Sequence, residues 1–190
     1  MTAIFDFSAF PTLYTPRLCL REIRSDDAEA IFAIRSDHAV TRHNIGPAYP
    51  DIERARLLIA EMRDAYAHMQ ELRWGITLPP EQQVVGMVGF NDWHRNDRRA
   101  SVGYDLAQAH WGQGIMPEAL GAVLAFGFRA MDLNRIEATV SAENPASVRV
   151  LEKLGFVLEG RQREQYYDEG RFCDLLLFGL LRREFDDANP

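Results

Sequence analysis

Three short apolar stretches, Arg73 to Leu78, Val84 to Phe90 and Arg99 to Leu106, follow one another with little chain between them. The first two are separated by Pro79-Pro80-Glu81-Gln82 and the last two by the polar Asn91 to Arg98, connections typical of antiparallel hairpins. The meander then meets His110-Trp111-Gly112-Gln113-Gly114, and beyond it Met116, Leu120, Val123, Leu124 and Met131 recur at helical spacing, with Pro117 suited to a first turn. An antiparallel meander that ends on a glycine loop and opens a helix fixes the middle of the fold.

The flanks add to both layers. Arg17 to Ile23 alternates as a strand, and Ser25 with Asp26 and Asp27 reads as a helix start. A second helix is predicted over Asp51 to Gln70, entered from Gly46-Pro47 and Pro50. A strand at Arg135 to Ser141 follows, then a helix from about Ala146 to Leu154 closed by Gly155, a strand opening at Phe156, and a closing strand over Phe172 to Leu181. Strands and helices in this order predict an α+β, or mixed α/β, layer fold. The 190 residues suffice for one domain, with 1–12 as an N-terminal arm and 183–190 as a flexible tail.

Charge narrows the partners. The chain carries 21 Lys+Arg against 28 Asp+Glu, a net −7, which disfavours sequence-independent binding to nucleic acid and attraction to anionic membranes. No apolar run is long enough for a bilayer-spanning helix, and Asp6 interrupts the aromatic opening of Phe5, Phe7 and Phe10, so no secretory signal is expected. Cys19 and Cys173 lie in apolar strand-like segments without metal-ligand or disulfide spacing, so a reducing cytoplasm is the expected setting. His38, His43, His68, His94 and His110 are scattered singly, and no metal site is expected.

The loop Trp111-Gly112-Gln113-Gly114-Ile115-Met116 is the candidate for chemistry. Its glycines let backbone approach a ligand, and the first-turn N–H groups with the helix dipole favour an anion. A tight turn would use the same glycines. No Gly-Lys-Ser/Thr ending follows, which excludes a nucleotide-hydrolase phosphate loop, and a third glycine of a dinucleotide fingerprint is missing. About thirty positions on comes Asn144-Pro145-Ala146-Ser147, then Leu151-Glu152-Lys153-Leu154-Gly155-Phe156.

With Leu13 to Arg21, Gly103 to Leu120 and Asn144 to Gly160 taken together, the chain resembles the GNAT superfamily of acyl-CoA-dependent N-acyltransferases, in particular its RimJ/RimL-type branch. The resemblance implies a splayed, mostly antiparallel central sheet flanked by helices, with the strand Arg99 to Leu106 ending in a bulge. It implies acetyl-CoA as acetyl donor, with pantetheine along Leu106 and pyrophosphate on the amides of Gly112, Gln113, Gly114, Ile115 and Met116, next to Trp111. It also maps Asn144 near the acetyl or pantetheine group and Ser147 near the CoA sulfur. A Ser at a helix start is equally a cap. A proposed base of the ribosomal branch aligns with Tyr166, two residues after Glu164. Arg149 and Lys153 either reach CoA phosphates or form a solvated helix face. Tyr104 reads as core packing, and Asp105 as a bulge stabiliser or an acceptor contact.

The implied chemistry is direct attack of a neutral amine on the thioester. A backbone N–H near Leu106 would meet the oxyanion, and Ser147 or a Tyr would protonate the thiolate. The acceptor is expected to be a protein or peptide N-terminal α-amine; a small amine such as an amino acid, polyamine or drug, or a non-catalytic acyl-CoA-binding module, are the other readings. A homodimer is compatible with the resemblance. Because 12 basic face 14 acidic residues up to position 100 and 9 face 14 beyond it, the polyanion is assigned to the more acidic half. Its binding is therefore expected to rest on backbone amides, with the surplus carboxylates favouring a cationic amine.

Overall fold

The computed structural model describes residues 5–43, 47–168 and 170–188. Gly46 of the expected helix entry, residues 1–4 of the arm and 189–190 of the tail lie outside them. One sheet of eight strands organises the described chain. In chain order the strands are β1 (Leu13–Tyr14), β2 (Cys19–Glu22), β3 (Leu72–Thr77), β4 (Gly86–His94), β5 (Arg99–Leu106), β6 (Arg135–Ser141), β7 (Val157–Asp168) and β8 (Arg171–Leu181). They lie side by side as β1-β2-β3-β4-β5-β6-β8-β7. Every neighbouring pair is antiparallel except β5–β6, which is parallel.

That parallel pair decides the shape of the site. It joins only Arg99 to Ser101 with Arg135 to Glu137. Beyond Ser101 the two strands part, although each continues in register with its outer neighbour. The sheet is splayed there, as the family resemblance implies. The expected bulge at the end of β5 is absent: Ser101 to Leu106 pairs without interruption with Asn91 to Gly86, and the shift falls between Asn91 and His94.

Six helices complete the described chain: α1 (Ala28–Ser36), α2 (His38–Thr41), α3 (Ile52–Ala67), α4 (Ile115–Arg129), α5 (Pro145–Lys153) and α6 (Arg182–Ala188). Alternation along β4 sends Val88 and Phe90 into the larger core with α4, and Met87 into a smaller one with Ile31 of α1 and Ile59 of α3. Helices thus cover both faces of the sheet. Asp51 caps α3 by accepting from the Arg54 N–H at 3.1 Å. Gly127 of α4 is required by packing, since a Cβ would lie 2.5 Å from Phe90 Cζ; at Gly121 the nearest contact would be an ordinary 3.8 Å.

Several local expectations change. Asn91 to His94 continues β4 rather than forming a polar connection, because Trp93 stacks on Phe7 at 5.3 Å and carries the Arg95 guanidinium over its ring at 4.4 Å. Ser25–Asp27 is a single 3-10 turn before α1. The strand expected to open at Phe156 is β7, which starts at Val157, runs to Asp168 and forms a long hairpin with β8 from Arg171. Where a loose tail is expected from 183, α6 forms instead and buries Phe185 against Phe128, ring centroids 5.0 Å apart.

Candidate active site

The parting of β5 and β6 opens a cleft of about 840 Å³. Its floor is the end of β5, its walls are the glycine loop with the start of α4 and the helix α5, and α2 with the residues after it closes one side. Leu106, Trp111, Gly112, Gly114, Ile115, Met116, Asn144, Ser147 and Lys153, all singled out from the sequence, line it together.

At the α4 end the backbone leaves N–H groups open to the cleft. Gly112 and Gly114 both adopt φ 73°, the left-handed region that disfavours side chains. Among the described residues no acceptor takes the N–H of Gly112, Gly114, Ile115 or Met116, while the first bonded amide of the helix is Glu118, to the Gly114 carbonyl at 3.3 Å. Arg149 and Lys153 of α5, both exposed, line the same cleft, so two cations stand in its wall beside these amides. Basic side chains thus stand beside the backbone amides, which the net charge does not suggest. Gln113 stands outside the lining: its side chain donates to the Ala109 carbonyl and its own carbonyl accepts from Arg17 Nη1 at 3.0 Å.

Arg17 anchors this loop from the β1–β2 turn. Its Nε donates to Glu118 Oε2 at 2.6 Å, its backbone N–H to Oε1 at 3.1 Å, and Thr15 Oγ1 donates to Oε1 at 2.6 Å. Against the opposing effect of burial, these bonds from Thr15 and Arg17 hold the Glu118 carboxyl below its usual range. The anchor is accordingly present at neutral pH and is lost only as pH falls through that lowered value. A Glu118→Gln substitution is expected to raise the Kd for CoA about threefold, measured by calorimetry at pH 7; an unchanged Kd would show that the loop holds its shape without the anchor.

The end of β5 is presented to the opening. Ala107 donates its N–H to the Val85 carbonyl at 2.9 Å, so strand alternation turns the Leu106 N–H and carbonyl away from β4, toward the side where β6 no longer pairs. The Trp111 indole Nε1 donates to that carbonyl at 2.8 Å. Trp111 thus ties the glycine loop to the strand end, and the Leu106 N–H faces the gap.

The Ser147 question has a geometric answer. Asn144 is the cap of α5, with Oδ1 accepting from the Ser147 N–H at 3.0 Å and Pro145 at the first helical position. The Ser147 side chain does no capping; its Oγ shares a hydrogen bond of 2.7 Å with the Tyr104 hydroxyl. Burial pushes the Tyr104 phenol up to about 12, against a smaller opposing effect of the Ser147 bond, so it is a proton-bearing donor at any working pH. Tyr104 packs against the core as the sequence predicts, and it also lines the cleft, which the sequence reading did not include. The available signal was its place two residues before Leu106, on the same face of the strand.

Tyr166 is placed elsewhere. It is absent from the cleft lining, and its hydroxyl donates to Ser141 Oγ at 3.0 Å. Glu164 sits in the register shift of β7 at φ 52°, with its N–H donated to Asp174. Both carboxylates that line the cleft are held by arginines: Asp105 accepts from Arg35 Nη1 at 3.1 and 3.0 Å, and Glu143 accepts from both Nη groups of Arg171. His43 lines the cleft beside them. Burial, reinforced by Arg42 and Arg171 and opposed by Glu143 and Asp168, lowers its pKa and keeps the ring uncharged at neutral pH. No group of three or more metal-ligating side chains occurs among the described residues, and no described helix is long and apolar enough to cross a membrane.

Known proteins share this arrangement. Residues 17–157 match the family model described as acetyltransferase (GNAT) domain. The uncharacterized N-acetyltransferase p20 of Bacillus licheniformis is 39% identical over 92% of this chain and 98% of its own. The ribosomal protein uS5-alanine N-acetyltransferase of Escherichia coli is 28% identical over 88% and 89%, and the spermidine N(1)-acetyltransferase of Vibrio cholerae 22% over 89% and 95%. Among solved structures, Mycobacterium smegmatis RimJ in complex with CoA-disulfide is similar at a TM-score of 0.78 and 28% identity, covering 94% of this chain and 93% of that one. The matched span contains the splayed strands, the glycine loop and the α5 wall of the cleft, and the chain belongs to the GNAT family of acetyl-CoA-dependent N-acetyltransferases.

Proposed function

We propose that this enzyme acetylates the N-terminal α-amine of a protein or peptide, by direct attack of the neutral amine on the thioester of acetyl-CoA. The observation that carries the acceptor class is the state of the cleft carboxylates: Asp105 and Glu143 are both engaged by arginines, so neither stands ready as a strong proton acceptor. A protein α-amine, with a pKa of ~8, costs about 1.4 kcal/mol to neutralise at pH 7, whereas a lysine-like amine at ~10.4 costs about 4.6 kcal/mol. A site without a dedicated carboxylate base suits the first. The relative named as a ribosomal protein uS5-alanine N-acetyltransferase supports a protein acceptor.

In this reading acetyl-CoA supplies the activated acetyl group. The amides of Gly112, Gly114, Ile115 and Met116, with Arg149 and Lys153, hold its phosphates. The Leu106 N–H takes up negative charge developing on the carbonyl oxygen, in a position fixed in advance by the Trp111 bond to the same residue. The attacking nitrogen gives up a proton to water as the C–N bond forms, Ser147 Oγ gives its proton to the sulfur as the C–S bond breaks and regains one from water, and Tyr104 donates a hydrogen bond to Ser147 Oγ, keeping that hydroxyl's hydrogen directed away from itself. Tyr166, bonded to Ser141, has no part in these contacts.

A polyamine acceptor is the second reading, favoured by the similarity to the spermidine enzyme. The two are separated by following thiol release from acetyl-CoA with a panel of peptides, spermidine and aminoglycosides. Peptides with free α-amines are expected to exceed the polyamines in kcat/KM by tenfold or more, and their acetylation at the α-nitrogen is read by mass spectrometry. Faster turnover of polyamines than of every peptide would overturn the N-terminal reading.

A further inference from the structure

We infer that the cleft carries, beyond the Tyr104–Ser147 pair, a subsite for an anionic group on the acceptor, and that the acceptor is a peptide N-terminus followed closely by an acidic side chain. The inference rests on the N-terminal reading above and sharpens it. Arg42 and His43, which follow α2, both line the cleft. The charged groups that act on His43 are Arg42, Glu143, Arg171 and Asp168, which places it where α2 meets the start of α5 and the tip of the β7–β8 hairpin. This is a different part of the cleft from the amides of α4 and from Arg149 and Lys153 farther along α5.

The charge there is balanced, Arg42 and Arg171 against Glu143 and Asp168, rather than acidic as the composition suggests. A net −7 chain would be expected to offer carboxylates to a cationic acceptor. Yet the two carboxylates of the cleft are occupied. Asp105 is buried and paired with Arg35 at 3.0 Å, and Arg35 is itself stacked over Tyr49 at 5.1 Å, which fixes it in place. Glu143 receives both guanidinium donors of Arg171 from the next layer of the hairpin. Arg42, in contrast, is exposed at the cleft wall, and no carboxylate partner is recorded for it among the described residues. An acceptor that brought a second cation would meet a guanidinium; one that brought a carboxylate would complete it.

The reacting amine itself is not excluded by this field, because it attacks in the neutral form. The field acts on what lies next to it. A planar guanidinium takes a carboxylate bidentately, so the aspartate or glutamate side chain of the acceptor's second or third residue is the matching group.

The test compares three peptides that differ only at the second position, carrying aspartate, glutamine or lysine, by kcat/KM for thiol release at low and at physiological salt. The aspartate peptide is expected to exceed the lysine peptide by about tenfold at low salt, with the glutamine peptide between them, and the ratio is expected to shrink as salt rises. Arg42→Gln is expected to collapse the ratio to within about twofold, and Arg42→Glu to invert it. The Kd for CoA of both variants, from calorimetry, is expected to match the wild type, which also reports that they are folded. Equal rates for the three peptides, or a ratio unmoved in both variants, overturn the subsite and leave the N-terminal reading standing. So does a variant whose CoA affinity falls while its peptide ratio persists, since Arg42 would then serve the donor. Spermidine outrunning all three peptides overturns both.

Discussion

Replacing Ser147 with alanine is expected to lower kcat by about a hundredfold, with the CoA Kd within twofold of wild type. The effect follows from what the hydroxyl contacts. Its Oγ has a single recorded side-chain partner, the Tyr104 phenol at 2.7 Å, and the helix start is capped by Asn144 instead. Removing it therefore leaves α5 intact and removes the proposed donor to the leaving thiolate. Tyr104→Phe acts through Ser147 and is a positioning change, expected to cost about tenfold in kcat. The double variant is expected to be no slower than Ser147→Ala alone, because a hydroxyl that is absent cannot be oriented. A merely structural role would not give that non-additivity. The pH profile is a second reading. Tyr104, pushed up to about 12, stays protonated through the working range, so kcat is expected to show no alkaline decline from this group below about pH 10. Wild-type turnover in Ser147→Ala would remove Ser147 from the chemistry.

Much of this site is legible before any coordinates. The glycine loop announces itself by residue type: only positions with free rotation into positive φ explain Gly112 and Gly114 in front of a helix, and both take φ 73°. The meander follows from short polar connections, and the pairing β3-β4-β5 is as expected. What stays hidden is of two kinds. Pairing between distant segments has no local signal, which is why neither Tyr104 with Ser147, 43 residues apart, nor Arg35 with Asp105, 70 apart, can be read from spacing. Tertiary contacts also override polarity. Asn91 to His94 looks like a turn by composition but is held in β4 by Trp93 packed on the aromatic arm, and the charged end of the chain becomes α6 because Phe185 has a core position against Phe128. Net charge misleads for a related reason. In the cleft lining the two carboxylates, Asp105 and Glu143, are held by arginines, and Arg42, Arg149 and Lys153 stand beside them.

Asp27→Ala is expected to destabilise the fold by about 3–5 kcal/mol, the largest effect on stability of any substitution considered, with a fall in Tm of roughly 10 °C. Asp27 and Arg21 form a bidentate pair, Nη1 to Oδ2 and Nη2 to Oδ1, both at 2.8 Å, with side chains only 9% and 8% exposed. Arg21 also donates to the Glu22 carbonyl at 2.8 Å and to the Gln82 carbonyl at 2.7 Å, while Asp27 accepts from the Arg24 N–H at 2.7 Å. One buried network thus joins β2, the turn into α1 and the loop before β4. Removing the carboxylate strands a guanidinium whose Nε already lacks a partner, and an uncompensated buried charge costs far more than the pair itself contributes. The converse follows. Replacing both residues, Arg21→Met with Asp27→Leu, is expected to cost much less than Asp27→Ala alone, because no charge is left buried. Urea denaturation measures both. The pair lies outside the cleft lining but at the root of α1, which carries Arg35 to Asp105 and leads through α2 to Arg42. Any Asp27→Ala protein that remains folded at low temperature is therefore expected to lose discrimination among the second-position peptides before it loses affinity for CoA. A loss of less than 1 kcal/mol in Asp27→Ala would mean that water reaches Arg21 and that the network is not closed.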